Sequence, residues 1–166
     1  MLPIKSPVPL AQSPTSLTQM GNSPSTQMLV NSEHDRLSGR IHSLAHLNLE
    51  LLAALGIQAI LLQGRAQTFQ VFDPATTEWI NQAQRQGFSF LWLATPQQAE
   101  EVHPWCDRVD IPILNTKNKL MVLALREAFA CFEVDPRQVL LVSDRPLWEL
   151  WDAQLLRMPV MRIGIV

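Results

Sequence analysis

Two cationic side chains stand where an apolar run gives way to a polar loop. Arg65 follows Ile57-Gln58-Ala59-Ile60-Leu61-Leu62, and Lys117 follows Ile111-Pro112-Ile113-Leu114. Together they could hold a phosphate or a carboxylate through charge-assisted hydrogen bonds without turning it over. Asp144 precedes Pro146 by two residues, the pattern of a helix N-cap ahead of a first-turn proline. Thr95 directly precedes Pro96 and is read as a cap as well. His42 and His46 have the i, i+4 spacing that can bind a metal, but no third ligand is near in sequence. They are read as packing or surface residues. Asp73 comes ten residues past the end of an apolar run, too late for a nucleophile at a strand end. Cys106 and Cys131 are far apart and in no metal-type spacing, so they are read as core residues of a chain kept in a reducing compartment.

The elements that must position these residues follow from periodicity. Leu37, Ile41, Leu44 and Leu47 recur at helical spacing, and Asn48 caps a second helix that ends at Gly56. The run from Ile57 to Leu62 is a buried strand. Thr76 or Thr77 with Glu78 opens a helix to about Gln86, closed by Gly87. Phe88 to Leu93 is a strand, Pro96 to Val102 a short helix, and Ile111 to Leu114 a brief extended piece. Lys119 to about Phe132 is expected as the longest helix and Val139 to Val142 as a strand. Pro146 to Arg157 follows as a helix, and Val160 to Ile163 as a last strand. This alternation predicts an α/β, Rossmann-like three-layer domain with a mainly parallel sheet over residues 33–166. Ligands of such sheets bind beyond the carboxyl ends of the strands.

Residues 1–32 differ in composition, being rich in Ser, Thr, Gln and Pro, with Lys5 the one charge before Glu33. Three Ser-Pro steps interrupt any helix there, and the segment is expected to be a disordered tail. Across the 166 residues, 47% are hydrophobic and 17% charged, with a net charge of −2, which describes a globular chain with no basic surface for nucleic acid. No run of about 18 apolar residues exists, so no transmembrane segment is expected. Lys5 is followed by prolines and polar residues rather than the apolar run of a secretory leader, and a cytoplasmic location is expected.

Several segments then form a collinear series: Ala75-Thr76-Thr77-Glu78-Trp79-Ile80, Gln86-Gly87-Phe88, Val109-Asp110-Ile111-Pro112-Ile113, Val139-Leu140-Leu141-Val142-Ser143-Asp144 and Val160-Met161-Arg162-Ile163. In order and spacing they resemble the YqeG family of haloacid-dehalogenase-like (HAD-like) phosphatases, subclass IIIA, which is related to the phosphatidylglycerophosphate phosphatases. The resemblance covers residues 46–166. It implies a HAD-like domain whose chemistry needs an aspartate nucleophile after the first strand and a second aspartate two residues on. It also needs a Ser or Thr and a Lys to hold phosphoryl oxygens, and acids after the fourth strand to hold Mg²⁺. Thr95 matches the hydroxyl, Lys117 the lysine and Asp144 the first metal acid, with Ser143 in place of the usual glycine. Glu149 stands where a second Asp is expected, and Trp148 replaces a small Thr.

The first motif is missing. No Asp lies between Leu51 and Phe72, where Gln63, Gly64, Arg65 and Ala66 fill the loop and Thr68 is a candidate leftover threonine. Without that carboxylate there is no acceptor for a phosphoaspartyl intermediate, a loss worth several orders of magnitude in rate. No cofactor is therefore expected, and Mg²⁺ only if the protein is active. The leading expectation is a catalytically silent HAD-like domain that binds a protein. Trp148 and Trp151 would offer an aromatic anchor, or the nearly all-apolar helix after Lys119 would offer its surplus face. The alternatives are a divergent Mg²⁺-dependent phosphatase using Asp144 and Lys117, and a sensor of phosphate-bearing small molecules using Arg65, Lys117 and Thr95.

Overall fold

A computed structural model describes residues 26–31, 36–117, 120–146 and 149–164. Its centre is a seven-stranded sheet. In chain order the strands are β1 (Thr26–Asn31), β2 (Arg36–Ile41), β3 (Ala59–Gln63), β4 (Ser89–Ala94), β5 (Ile113–Asn115), β6 (Val139–Ser143) and β7 (Val160–Ile163). Their order across the sheet is β1-β2-β7-β6-β3-β4-β5. All neighbouring pairs are parallel except β1 with β2. From β3 at the centre the chain winds outward through β4 and β5, then returns to β6 and β7 on the other side. The winding direction thus switches between β3 and β6, the place where open α/β sheets form their crevice.

Among the described residues, five α-helices cover the sheet: α1 (Leu49–Ala54), α2 (Pro74–Arg85), α3 (Pro96–Val109), α4 (Met121–Phe132) and α5 (Trp151–Leu155). Side chains alternate between faces along each strand. Ile60 and Leu62 of β3, Phe90 and Trp92 of β4, and Leu140 and Val142 of β6 enter one core with α1, α2 and α3. Leu61, Leu91, Leu93, Val139 and Leu141 enter the opposite core with α4 and α5. Both faces of the central strands are therefore buried, which explains why they read as unbroken apolar runs rather than alternating ones.

Local signals account for the helix starts. Asn48 caps α1 by accepting from Leu51 N–H at 3.1 Å. Thr95 and Gln98 form a reciprocal capping box at α3. Asp73 caps α2 by accepting from Ala75 N–H at 2.9 Å, so that helix begins at Pro74, two residues before the expected threonines. This gives Asp73 a structural duty.

Several expectations are corrected. The helical spacing of Leu37, Ile41, Leu44 and Leu47 gives instead β2 followed by a short 3₁₀ turn, Leu44–His46. Gly39 weakens a helix there, while β2 gains four paired positions against β7. Within the segment expected to be a tail, β1 pairs antiparallel with β2; residues 1–25 and 32–35 lie outside the described residues. Helix α3 does not stop at Val102 but runs through Pro104 to Val109, making it longer than α4. The lost hydrogen bond at Pro104 is offset by burial of Val102, Trp105, Cys106 and Val109, which share one helical face. Of the helix expected from Pro146 to Arg157, the described residues show α5 over Trp151–Leu155; Leu147 and Trp148 lie outside the described residues.

Candidate functional site

The carboxyl end of the sheet carries a row of residues paired across neighbouring strands. Arg40 of β2 stands beside Arg162 of β7, Arg162 beside Ser143 of β6, and Ser143 beside Gln63 of β3. Gln63 in turn stands beside Leu93 of β4, and Leu93 beside Leu114 of β5. Cross-strand partners share a face, so this is one line of side chains on the side covered by α4 and α5. It grades from apolar through amide and hydroxyl to two guanidinium groups.

The middle of this row is closed by hydrogen bonds. Gln63, only 3% exposed, accepts from the Ser143 hydroxyl at 3.0 Å and directs its amide N–H toward the Met121 sulfur at 3.7 Å. Ser143 Oγ also accepts from Arg145 N–H at 3.2 Å, and the Arg145 carbonyl accepts from Arg162 Nε–H at 3.2 Å. Arg145 Nη1 pairs with Glu149 Oε2 at 3.3 Å. A neutral amide thus stands buried and satisfied at the end of the central strand, where burying a carboxylate without a compensating partner would be costly.

Among the described residues, Asp144 is engaged through its carboxyl group by the neighbouring strand-end loop. Its Oδ2 accepts from Arg65 N–H at 2.9 Å, and its own N–H donates to the Gln63 carbonyl at 3.2 Å. The two strand-end loops are thereby tied together across the switch point. Gly64 makes the close approach possible: its φ is +149°, and a Cβ there would overlap the Asp144 carboxyl group. After Gly64 the chain turns through residues 65–71, with Phe69 N–H donating to the Arg65 carbonyl and Val71 N–H to that of Ala66. Ala66, Phe69 and Val71 are buried beneath this loop and fix it, leaving Arg65 and Gln67 exposed.

Thr95 and Lys117 lie on the other side of β3, after β4 and β5. The Thr95 hydroxyl accepts from Gln98 N–H at 3.3 Å. Lys117 is exposed in a turn where the Asn115 side chain accepts from Lys117 N–H at 2.8 Å. Neither lines the cleft that Arg65 and Asp144 share. That cleft, about 500 Å³, is bounded instead by Arg40, Arg65, Arg145 and Arg162, with Thr68 and Gly164 among the remaining lining residues. Arg40, Arg145 and Arg162 were not among the sequence candidates. The available signal was a charged residue inside a buried parallel strand, as Arg162 is between Met161 and Ile163.

The donor set does not suit Mg²⁺. Asp144 already accepts a backbone N–H in a cleft lined by four arginines, and Glu149 is paired with Arg145. A hard dication wants several oxygen ligands and no competing cations. Among the described residues, no three His, Cys, Asp or Glu side chains converge. Trp151, at the start of α5, is 65% exposed. Of the two thiols, Cys131 is exposed and Cys106 is buried, where desolvation, aided by the neighbouring Asp107 charge, pushes its pKa up to about 12. Among the described residues, no helix is long and apolar enough to cross a membrane. No family model matches the chain, and no curated protein or solved structure does so either.

Proposed function

We propose that the chain is a catalytically silent HAD-like domain that acts by binding a protein rather than by transferring phosphate. One observation carries the reading. Gln63 ends the central parallel strand at the switch point, where the resembled family keeps its nucleophile, and its amide is buried and hydrogen-bonded to Ser143. Arg65 then falls two residues on, at the place of the family's general acid. A carboxamide is no nucleophile toward phosphorus, and a guanidinium does not exchange protons near neutral pH. Thr95, Lys117 and Asp144 are on this view inherited positions that retain local structural work.

The binding surface is the outer side of α4 and α5. Leu120 and Leu123 from one element and Trp151 and Leu155 from the other are between 50% and 71% exposed. The two helices pack on the same side of the sheet. Exposed aromatic and aliphatic side chains on neighbouring elements favour protein association. Free thiols at Cys106 and Cys131 fit a cytoplasmic location.

The test of the first half is hydrolysis of p-nitrophenyl phosphate by the full chain with Mg²⁺. The expected rate equals that of buffer and is the same for Asp144→Asn. Mg²⁺-stimulated release that disappears in Asp144→Asn would overturn the reading in favour of a divergent phosphatase. The second half is tested by cross-linking in the native cell extract. Trp151→Ser with Leu155→Ser should abolish a cross-linked species that the parent chain forms, and retention of that species would refute the assigned surface.

A further inference from the structure

The arginines at the carboxyl end of β2 and β7 belong neither to the vestigial phosphatase positions nor to the apolar surface of α4 and α5. Arg40 and Arg162 are adjacent in the cross-strand row, Arg145 follows β6, and Arg65 follows β3. Among the described residues the lining sets these groups against the Asp144 carboxylate; Arg145 is also paired with Glu149, so the cationic excess is carried by Arg65 and Arg162. Like charges gathered in one concavity repel one another, and a bound anion relieves that repulsion.

The groups are also held in place. Arg162 is fixed through Nε to the Arg145 carbonyl, Arg145 through Nη1 to Glu149, and the Arg65 backbone to Asp144. The loop carrying Arg65, Gln67 and Thr68 is pinned from below by buried Phe69 and Val71. Positions fixed in advance lower the entropy lost when a ligand binds. The cleft is about 500 Å³, within the range of small-molecule sites. Planar guanidinium groups bind phosphate oxygens in pairs, with hydroxyl and amide groups such as those of Thr68 and Gln67 available for the remainder of a ligand.

We propose that this cleft is a binding site for a small molecule or headgroup carrying a phosphate monoester or pyrophosphate, which it holds without hydrolysis. Pyrophosphate and glycerol 3-phosphate titrated into the full chain by calorimetry should bind at one site per chain. Arg65→Ala and Arg162→Gln should each weaken that binding by at least roughly ten-fold, the worth of a charge-assisted hydrogen bond. Arg137→Ala, at the opposite end of β6, should leave it unchanged. Arg65 is exposed, so its variant tests the site even if Arg162→Gln does not fold. A parallel arm uses phosphatidylcholine vesicles with and without phosphatidic acid. Arginine-dependent binding to the phosphatidic acid vesicles alone supports the site and assigns the phosphate to a lipid. No binding in either arm at millimolar ligand, or binding that Arg65→Ala leaves intact, overturns the proposal, as does equal weakening by Arg137→Ala.

Discussion

On one face of the sheet, three helices close over an interlocked set of aromatic rings. Trp92 lies 4.9 Å from Phe69 and 5.9 Å from Trp105 between ring centroids, and Trp79 lies 5.9 Å from Phe90. The Trp79 and Trp105 indoles donate hydrogen bonds, to the Leu47 carbonyl and the Thr77 hydroxyl. On the other face the same strands present equally apolar side chains, and among the described residues α4 and the five-residue α5 cover them. There Leu120, Leu123, Trp151 and Leu155 stay in solvent. The strands demand the same of both sides, so the difference lies in the helices. Among the described residues, one layer closes on an aromatic core with Phe72 of the loop before α2 exposed beside it, whereas the other leaves these four large apolar side chains exposed.

Mutations should divide along this line. Trp92→Ala, on the aromatic face, is expected to cost about 4 kcal/mol and Leu125→Ala, beneath α4, about 3 kcal/mol, as measured by urea unfolding. Both are core positions, and a negligible loss at Leu125 would mean that α4 is not docked on the sheet. At the seam between the faces, Gly64→Ala should cost about 2 kcal/mol from backbone strain and overlap with Asp144. Adding Asp144→Ala should recover part of that loss, and purely additive effects would separate the two residues.

The thiols sharpen the contrast. Iodoacetamide at neutral pH should label exposed Cys131 on α4 and spare Cys106 on the aromatic face. Because the Cys106 pKa is raised from 9.0 to about 12, the unfolded chain loses that proton first as the pH climbs. Its contribution to stability is full below pH 9.0 and declines from there toward about 12. A Cys106→Ala variant should lack this alkaline component. Smallest of all, Trp151→Ser should change stability by less than about 0.5 kcal/mol, because the side chain stands in solvent. A loss comparable to that at Leu125 would show that the thin face needs it for folding.

Much of this architecture is legible in the sequence because it depends on local patterns. The runs ending at Leu62, Leu93 and Val142 mark strands buried on both sides, and Asn48, Thr95 and Gly87 mark helix boundaries. The misreadings arise where distant partners decide. The Asp144 carboxyl group accepts from Arg65 N–H, 79 positions away in the chain, a contact that its place before Pro146 does not announce. Leu37 and Ile41 look helical until β1 pairs with the first and β7 with the second. Arg40, Arg65, Arg145 and Arg162 form a site only once the strand order sets β2 next to β7, and no local spacing encodes that order. The absence of an Asp or Glu between Leu51 and Phe72, in contrast, is plain from the sequence alone, with Gln63 and Arg65 readable without coordinates.

The most direct measurement is to expose the full chain to acetyl phosphate with Mg²⁺, reduce it with borohydride, and map any homoserine formed from aspartyl phosphate by mass spectrometry. With Gln63 at the end of the central strand, the account predicts no converted aspartate in the loops after β3 and β6. Homoserine at Asp144, or at Asp73, would contradict it.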